Sequence, residues 1–255
     1  MRKHIIVSDV KRSLCGRNFI ISVMGMVLVI VLSSMESIIY MVRTPEPLQN
    51  GYHAQFVIDA LMSDWITLSL PIICALPFTT AFVDDIKNGF IKQYLHRSGN
   101  TSYIMGKLIA CGLSGGLTLL LGTLLAYGLS ALVFIPMEIA LGAGEAAHPY
   151  FVQLLVNAVM LFFSGVFWSL IGFAFAAFTM NKYMAYASPF IFYYVLIILN
   201  ERYFSDLYVL HPKEWLFPSD AWAMGHFGVI LLLVTLSAIV SFGFAVVAKR
   251  RLANV

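Results

Sequence analysis

The sequence predicts an all-α, polytopic membrane fold with six transmembrane helices, and three observations carry that prediction. The chain is 60% hydrophobic and only 11% charged, with a mean hydropathy of +0.85, which leaves too little polar surface for an ordinary water-soluble globule. Its apolar residues gather into six runs separated by polar intervals, about 19–41, 65–83, 108–133, 152–178, 184–199 and 223–248. Finally, 13 of the 16 Lys and Arg lie in residues 1–17, in residues 84–107, at Lys182 or at the C-terminus, leaving only Arg43, Arg202 and Lys213 in the alternate intervals. Basic residues concentrate on the cytoplasmic side of membrane proteins, so both termini are expected there. The three cysteines and six histidines have no paired spacing, so neither a disulfide framework nor a metal site is expected.

Taken in order, residues 1–17 carry five basic residues against Asp9, with Ile5, Ile6, Val10 and Leu14 on one face. This predicts an N-terminal amphipathic helix on the inner membrane surface, followed by a single transmembrane domain, 18–255. A cleaved leader is disfavoured, because the next apolar run is too long and no small-residue cleavage site closes it. Span one contains Glu36. A carboxylate within a span is a functional candidate by default, but Glu36 lies ~26 Å along the helix from Phe19, close to the far headgroups.

A polar connection, 42–64, has Pro45, Pro47, Asn50 and Gly51 as turn formers. Span two contains Pro71 and Pro77 among Thr67, Ser69, Thr79 and Thr80. Each proline frees a carbonyl that a hydroxyl or a neighbouring helix must satisfy. Such kinks suit a moving gate and also occur in static helices. Span three is rich in small residues, Gly112, Gly116, Gly122, Ala126 and Ser130, which favour close helix packing. Residues 136–148 form a loop with Glu138 and Glu145 and no basic residue.

Span four has Asn157 and Ser164 as interior polar groups, Lys182 marks a short turn, and span five is brief, with Pro189 near its start. Residues 200–220, with Trp215, Leu216 and Phe217 between Pro212 and Pro218, read as a short re-entrant segment in the outer interface. Span six ends at Lys249, Arg250 and Arg251.

The longest polar interval between strongly apolar runs is DDIKNGFIKQYLHRSGNTSYIMGK, residues 84–107. Ile86, Phe90, Ile91 and Leu95 fall on one helical face, with Lys87, Asn88, Lys92 and Gln93 on the other, predicting a short amphipathic helix. Asp85, Gly89, Leu95, Gly106 and Lys107 together resemble the first cytoplasmic loop of the ATP-binding-cassette type-2 permeases, the six-span subunits of many bacterial exporters. Asp85 stands where that family usually has Glu, and this turn lacks the family's frequent proline.

The resemblance implies that this loop carries a coupling helix seated in a separate ATPase subunit, with Asp85, Gly89, Phe90, Leu95, Gly106 and Lys107 as coupling residues. It also implies a second permease chain, the same or homologous. ATP and magnesium would bind on the ATPase, and this chain would hold no cofactor. Spans one, two and five would line the route or the dimer seam, making Glu36, Pro71, Pro77 and Pro189 path candidates, to which the interior Asn157 is added.

The chain carries no phosphate loop of its own. Six residues separate Gly99 from Gly106, and Leu108 follows Lys107, whereas the motif needs four residues and a Ser or Thr. The basic residues are not interleaved with aromatics as nucleic-acid binding would need, and anionic inner-leaflet lipid is the simpler partner. Gly112-Leu113-Ser114-Gly115 matches the GxSG of intramembrane serine proteases, with His226 as the candidate base. Ser114 and His226 are expected at different membrane depths, too far apart to form a dyad.

The sequence therefore points to an exporter permease, not itself an enzyme, in the bacterial cytoplasmic membrane. A wall of Phe, Met, Leu and Ile favours a hydrophobic or amphipathic substrate. Hydrophobic peptides rank first, because the resemblance includes permeases of antimicrobial-peptide and lantibiotic immunity systems, and drugs or lipids follow. A non-transporting membrane scaffold or sensor is the alternative of a different class.

Overall fold

The computed structural model describes residues 2–43, 48–89, 99–139, 150–222 and 224–253. Among these residues the fold is helical and contains no strand, only an isolated bridge between Leu48 and Glu138. The helices are α1 (Arg2–Leu14), α2 (Arg17–Ser33), α3 (Met35–Arg43), α4 (Tyr52–Met62), α5 (Asp64–Ala75), α6 (Ala81–Lys87), α7 (Asn100–Phe134), α8 (Tyr150–Thr179), α9 (Lys182–Arg202) and α10 (Gly225–Ala253). Single 3-10 turns occupy Ile135–Met137 and Tyr208–Leu210.

Four helices, α7 to α10, are long and apolar enough to cross a membrane by themselves. Two bent pairs pass the same test together: Ile6–Leu14 with Arg17–Ser33, bent by 48°, and α4 with α5, bent by 77°. The described residues thus hold four candidate spans, or up to six if each bent pair counts as one, which fits a multi-pass membrane protein.

Polar contacts fix which helix ends lie together. Asp9 of α1 meets Lys107 near the start of α7, and Asp84 of α6 meets Lys182 at the start of α9. Arg251 near the end of α10 donates to the Phe178 carbonyl at the end of α8. These groups define a basic end that holds both α1 and the C-terminal turn of α10. At the opposite end Ser130 of α7 donates to the His53 carbonyl, and Asp64 pairs with Lys213. Both ends of α4 therefore lie at that opposite end. Given its steep bend from α5, α4 lies across the bundle there rather than along it.

The centre of the bundle is α8: 67% of its most apolar stretch is buried, against 39% in α7, 28% in α9 and 22% in α10. Small residues explain the close α7–α8 crossing, as the spacing of glycines in span three leads one to expect. A Cβ on Gly165 would stand 2.7 Å from the Gly115 carbonyl oxygen, and one on Gly115 would stand 2.8 Å from that of Gly165. Ser169 and Cys111 add weak bonds to each other's carbonyls across the same crossing. Two aromatic groups fill the remaining space. Phe167, Trp168, Tyr193 and Trp215 gather on one side, and Phe82, Phe173 and Phe244 on the other.

Several elements differ from the sequence reading. Residues 42–64 are not a plain polar connection, because α4 buries Ala54, Phe56, Val57, Ile58, Ala60 and Leu61 while Asp59 points out. Span one is interrupted at Ser34, between α2 and α3. Span two stops at Ala75, and a turn containing Pro77 precedes α6. The Ile73 carbonyl, which Pro77 leaves without its helical donor, accepts the Leu76 N–H at 3.3 Å, and the Thr79 hydroxyl donates to the Ala75 carbonyl in the same turn.

The expected amphipathic helix through Leu95 does not run on from α6. Helix α6 ends at Lys87, and Gly89 follows with φ +68°, a conformation glycine adopts without steric cost. Phe90 and Leu95 lie outside the described residues, as do Pro45, Pro47 and Glu145. Past Arg202 the 203–222 segment has no α-helix. Its Trp215 and Leu216 are buried, and the Trp215 indole N–H donates to the Val209 carbonyl at 2.9 Å.

Replacing Gly165 by Ala forces α7 and α8 apart, and the expected cost is about 1–3 kcal/mol. Gly128 meets nothing within 4 Å, so Gly128→Ala serves as the neutral control. Thermal unfolding of the two purified variants in one detergent checks the difference.

Candidate functional site

The densest polar constellation is a buried charge cluster at the basic end, built from three helices. Helix α7 presents Tyr103 and Lys107 one turn apart, α6 presents Asp85, and α1 presents Asp9 and Arg12 on one face. The Lys107 ammonium lies 2.7 Å from Asp85 Oδ2 and 2.9 Å from Asp9 Oδ1. Asp85 Oδ1 also meets Arg12 Nη1 at 3.1 Å, and Asp85 Oδ2 accepts the Tyr103 hydroxyl at 3.0 Å. Lys107 is 1% exposed and Asp85 2%.

The Phe78 and Tyr103 rings lie 5.1 and 5.4 Å from the ammonium, within cation–π range. Two carboxylates and two cations balance the local charge. A lysine this deep in a protein is stable only while its counter-charges stay in contact. Asp9 Oδ2 is the loose end, buried without a hydrogen-bond partner among the described residues.

Mechanically, the cluster ties together both ends of the 84–107 interval. Asp85 opens that interval, Lys107 closes it, and their contact fixes its base to α7 while Asp9 and Arg12 fix α1 to the same point. Just outside, Asp84 binds Lys182 and accepts the Thr80 hydroxyl at 2.9 Å, so α9 is attached to the same base. Gly106 is buried beside Lys107 on α7. Gly89 is exposed, with open space around its Cα.

The path candidates sit on separate elements. Glu36 is exposed on α3, beyond the break at Ser34. Pro71 is buried inside α5, Pro77 in the turn after it and Pro189 inside α9. Helices α5 and α9 pack on each other and on α8. Pro189 seats against Gly172 of α8, where an added Cβ would come 2.4 Å from the Ala185 carbonyl oxygen, the carbonyl that Pro189 leaves without its helical partner. Asn157 is 4% exposed and its amide nitrogen has no partner among the described residues. Ser114 donates to the Cys111 carbonyl of its own helix, and His226 begins α10 at the opposite end.

A second constellation secures α4 at that opposite end. Glu138 Oε1 accepts the His53 backbone N–H at 2.8 Å and lies 2.7 Å from His53 Nδ1, while Oε2 accepts the Gly51 N–H at 3.0 Å. The carboxylate thus caps the start of α4 from another part of the chain. Burial acts to raise the Glu138 carboxyl, but the bonds from His53 and Gly51 outweigh it and hold the group below the usual carboxylate range.

The sequence reading missed Asp9, Arg12, Tyr103 and the His53–Glu138 pair as site residues. Tyr103 is one helical turn from Lys107, and Asp9 is the lone acid in a basic stretch. These were the available signals, but only long-range contacts give them meaning.

Lys107→Met leaves two buried carboxylates facing one half-exposed arginine, with an expected loss of about 3–5 kcal/mol. The triple variant D9N/D85N/K107M recovers most of that loss, which thermal unfolding in detergent checks. The anchoring by Glu138 is present above the ordinary carboxylate pKa of ~4.3 and is lost as pH falls through the lowered folded value. The stability gap between wild type and Glu138→Gln is therefore expected to close only at acid pH, read as melting temperature against pH. Comparison of the chain with protein-family models, with curated proteins and with solved structures finds no match, so the functional reading rests on the sequence and on this geometry.

Proposed function

We propose that the chain is the membrane permease subunit of an ATP-binding-cassette exporter. It moves a hydrophobic or amphipathic substrate outward, peptide first and drug or lipid next, using ATP hydrolysed with magnesium on a separate ATPase subunit. It works beside a second permease chain in the bacterial cytoplasmic membrane, with the basic end and both termini in the cytoplasm.

The observation that carries the reading is the clamp at the base of residues 84–107, Asp85 against Lys107 at 2.7 Å. A loop that receives force from a docked subunit needs a stiff base, and a buried, charge-neutral cluster provides one. In this reading ATP draws two ATPase subunits together and the 84–107 segment moves with them. The clamp passes the motion to α1, α7 and α9, and α7 passes it to α8 through the Gly115–Gly165 contact. Asp85 and Lys107 are positioning residues here, since both are buried. Gly89 and the segment that follows it make the contact with the ATPase. Proline-bearing α5 and α9 supply the parts that rearrange.

Affinity purification from native membranes, with quantitative mass spectrometry, tests the reading. The expected result is an ATP-binding-cassette ATPase in stoichiometric amount that is lost in Gly89→Asp and Leu95→Asp. Asp85→Asn is expected to keep the ATPase bound while losing substrate-stimulated ATP hydrolysis. A chain that comes away alone after crosslinking at the basic end would overturn the exporter in favour of a membrane scaffold or sensor.

A further inference from the structure

The end of the bundle opposite the charge cluster carries a cleft of about 410 Å³, within the size range of small-molecule sites. Its walls come from the α4–α5 corner, the end of α9 and the 203–222 segment, with Asn200, Ser205, Tyr208, His211, Lys213 and Glu214 as their main polar residues. The polar part sets several donors beside one carboxylate, Glu214. His211 Nδ1 accepts the Lys213 backbone N–H at 3.3 Å, which leaves Nε2 as the proton-bearing nitrogen of the neutral ring. The Ser205 and Tyr208 hydroxyls bond no other described residue.

The carboxylate that shares the cleft is engaged through one of its oxygens, Oε2. Glu214 accepts the Ser219 N–H and hydroxyl, each at 2.8 Å, and the Trp222 indole N–H at 3.2 Å. The Asn200 amide nitrogen is held by the Phe204 and Leu207 carbonyls, a bonding pattern that fixes the wall. Met62 and Phe217 provide an apolar surface beside the donors.

Lys213 is the principal cation. Its partner Asp64 has an 86% exposed side chain and lines none of the cleft, whereas the Lys213 side chain is 44% exposed and does line it. A carboxylate that exposed gains little from its pairing and turns to water at small cost.

We propose that this cleft binds the oxyanion head of a small amphipathic anion, a carboxylate or a phosphodiester, with Asp64 as the placeholder it displaces. Lys213 makes the charge contact, and the His211 Nε2–H and the Tyr208 and Ser205 hydroxyls supply neutral donors. The apolar part of the ligand lies along Met62 and Phe217. The site needs neither ATP nor an ATPase, so it stands apart from the transport reading.

The test is calorimetric binding to the full chain in nanodiscs of a zwitterionic lipid. The probes are N-hexanoylglycine, dihexanoylphosphatidylglycerol and the uncharged N-hexanoylglycinamide. Saturable binding of at least one anion is expected, with the amide at least about tenfold weaker, the scale of a lost charge-assisted bond. Lys213→Met is expected to weaken the anion about tenfold or more. Asp64→Asn is expected to tighten it severalfold, a gain that a merely structural Asp64–Lys213 pair would not produce. The preferred anion identifies the source, carboxylate for a peptide or acyl compound and phosphodiester for a lipid. Equal binding of anion and amide, no effect of Lys213→Met, or weaker binding in Asp64→Asn would each overturn the proposal.

Discussion

A single ammonium group, that of Lys107, holds the basic end of this molecule together. Buried among Asp9, Asp85 and two aromatic rings, it satisfies carboxylates contributed by two other helices, α1 and α6. Desolvating these charges is costly, so the arrangement adds little net stability over an apolar core of the same shape. What it does provide is uniqueness of docking. Helix α1 can pack on α7 in only one register if Asp9 is to find Lys107 while Arg12 finds Asp85. The position of the 84–107 interval follows from that register, because its first and last turns belong to the same cluster.

The remaining architecture depends on how closely α7, α8 and α9 approach one another. Glycines on α7 and α8 remove the side chains that would separate the two helices, and Gly172 does the same towards α9. Because α8 is buried on several sides, a displacement of α7 or α9 cannot be absorbed by a soft layer between them. Close-packed helices slide or tilt as units.

How much of this was legible in the sequence depended on whether the signal was local. The long apolar helices α7, α8 and α10 were, since unbroken hydrophobic runs allow little else in lipid. The close crossing was also readable from glycines at fourfold spacing. Helix α4 was not. His53, Gln55 and Asp59 interrupt its apolar residues, and at 11 residues it is too short to register as a span. Only the docking of its apolar face makes it part of the core. Asp85 and Lys107 stood out as a pair by resemblance, but their burial and their sharing of Asp9 and Arg12 depend on contacts 73 and 98 residues apart. No periodicity encodes such contacts. The end of α6 at Gly89 was written in the residue itself, a glycine at the close of a helix, and was overridden by the apolar spacing that continues beyond it.

One lysine–aspartate pair at each end of the bundle also differs from the other in how wet it is. Lys107 and Asp85 have side chains 1% and 3% exposed, whereas Lys213 and Asp64 are 44% and 86% exposed. Mobile ions screen the second pair strongly and barely reach the first. Raising the ionic strength therefore loosens the Asp64–Lys213 contact at the start of α5 while the contact of Lys107 with Asp85 keeps its strength. The composition of the medium can thus weaken one of these two contacts independently of the other.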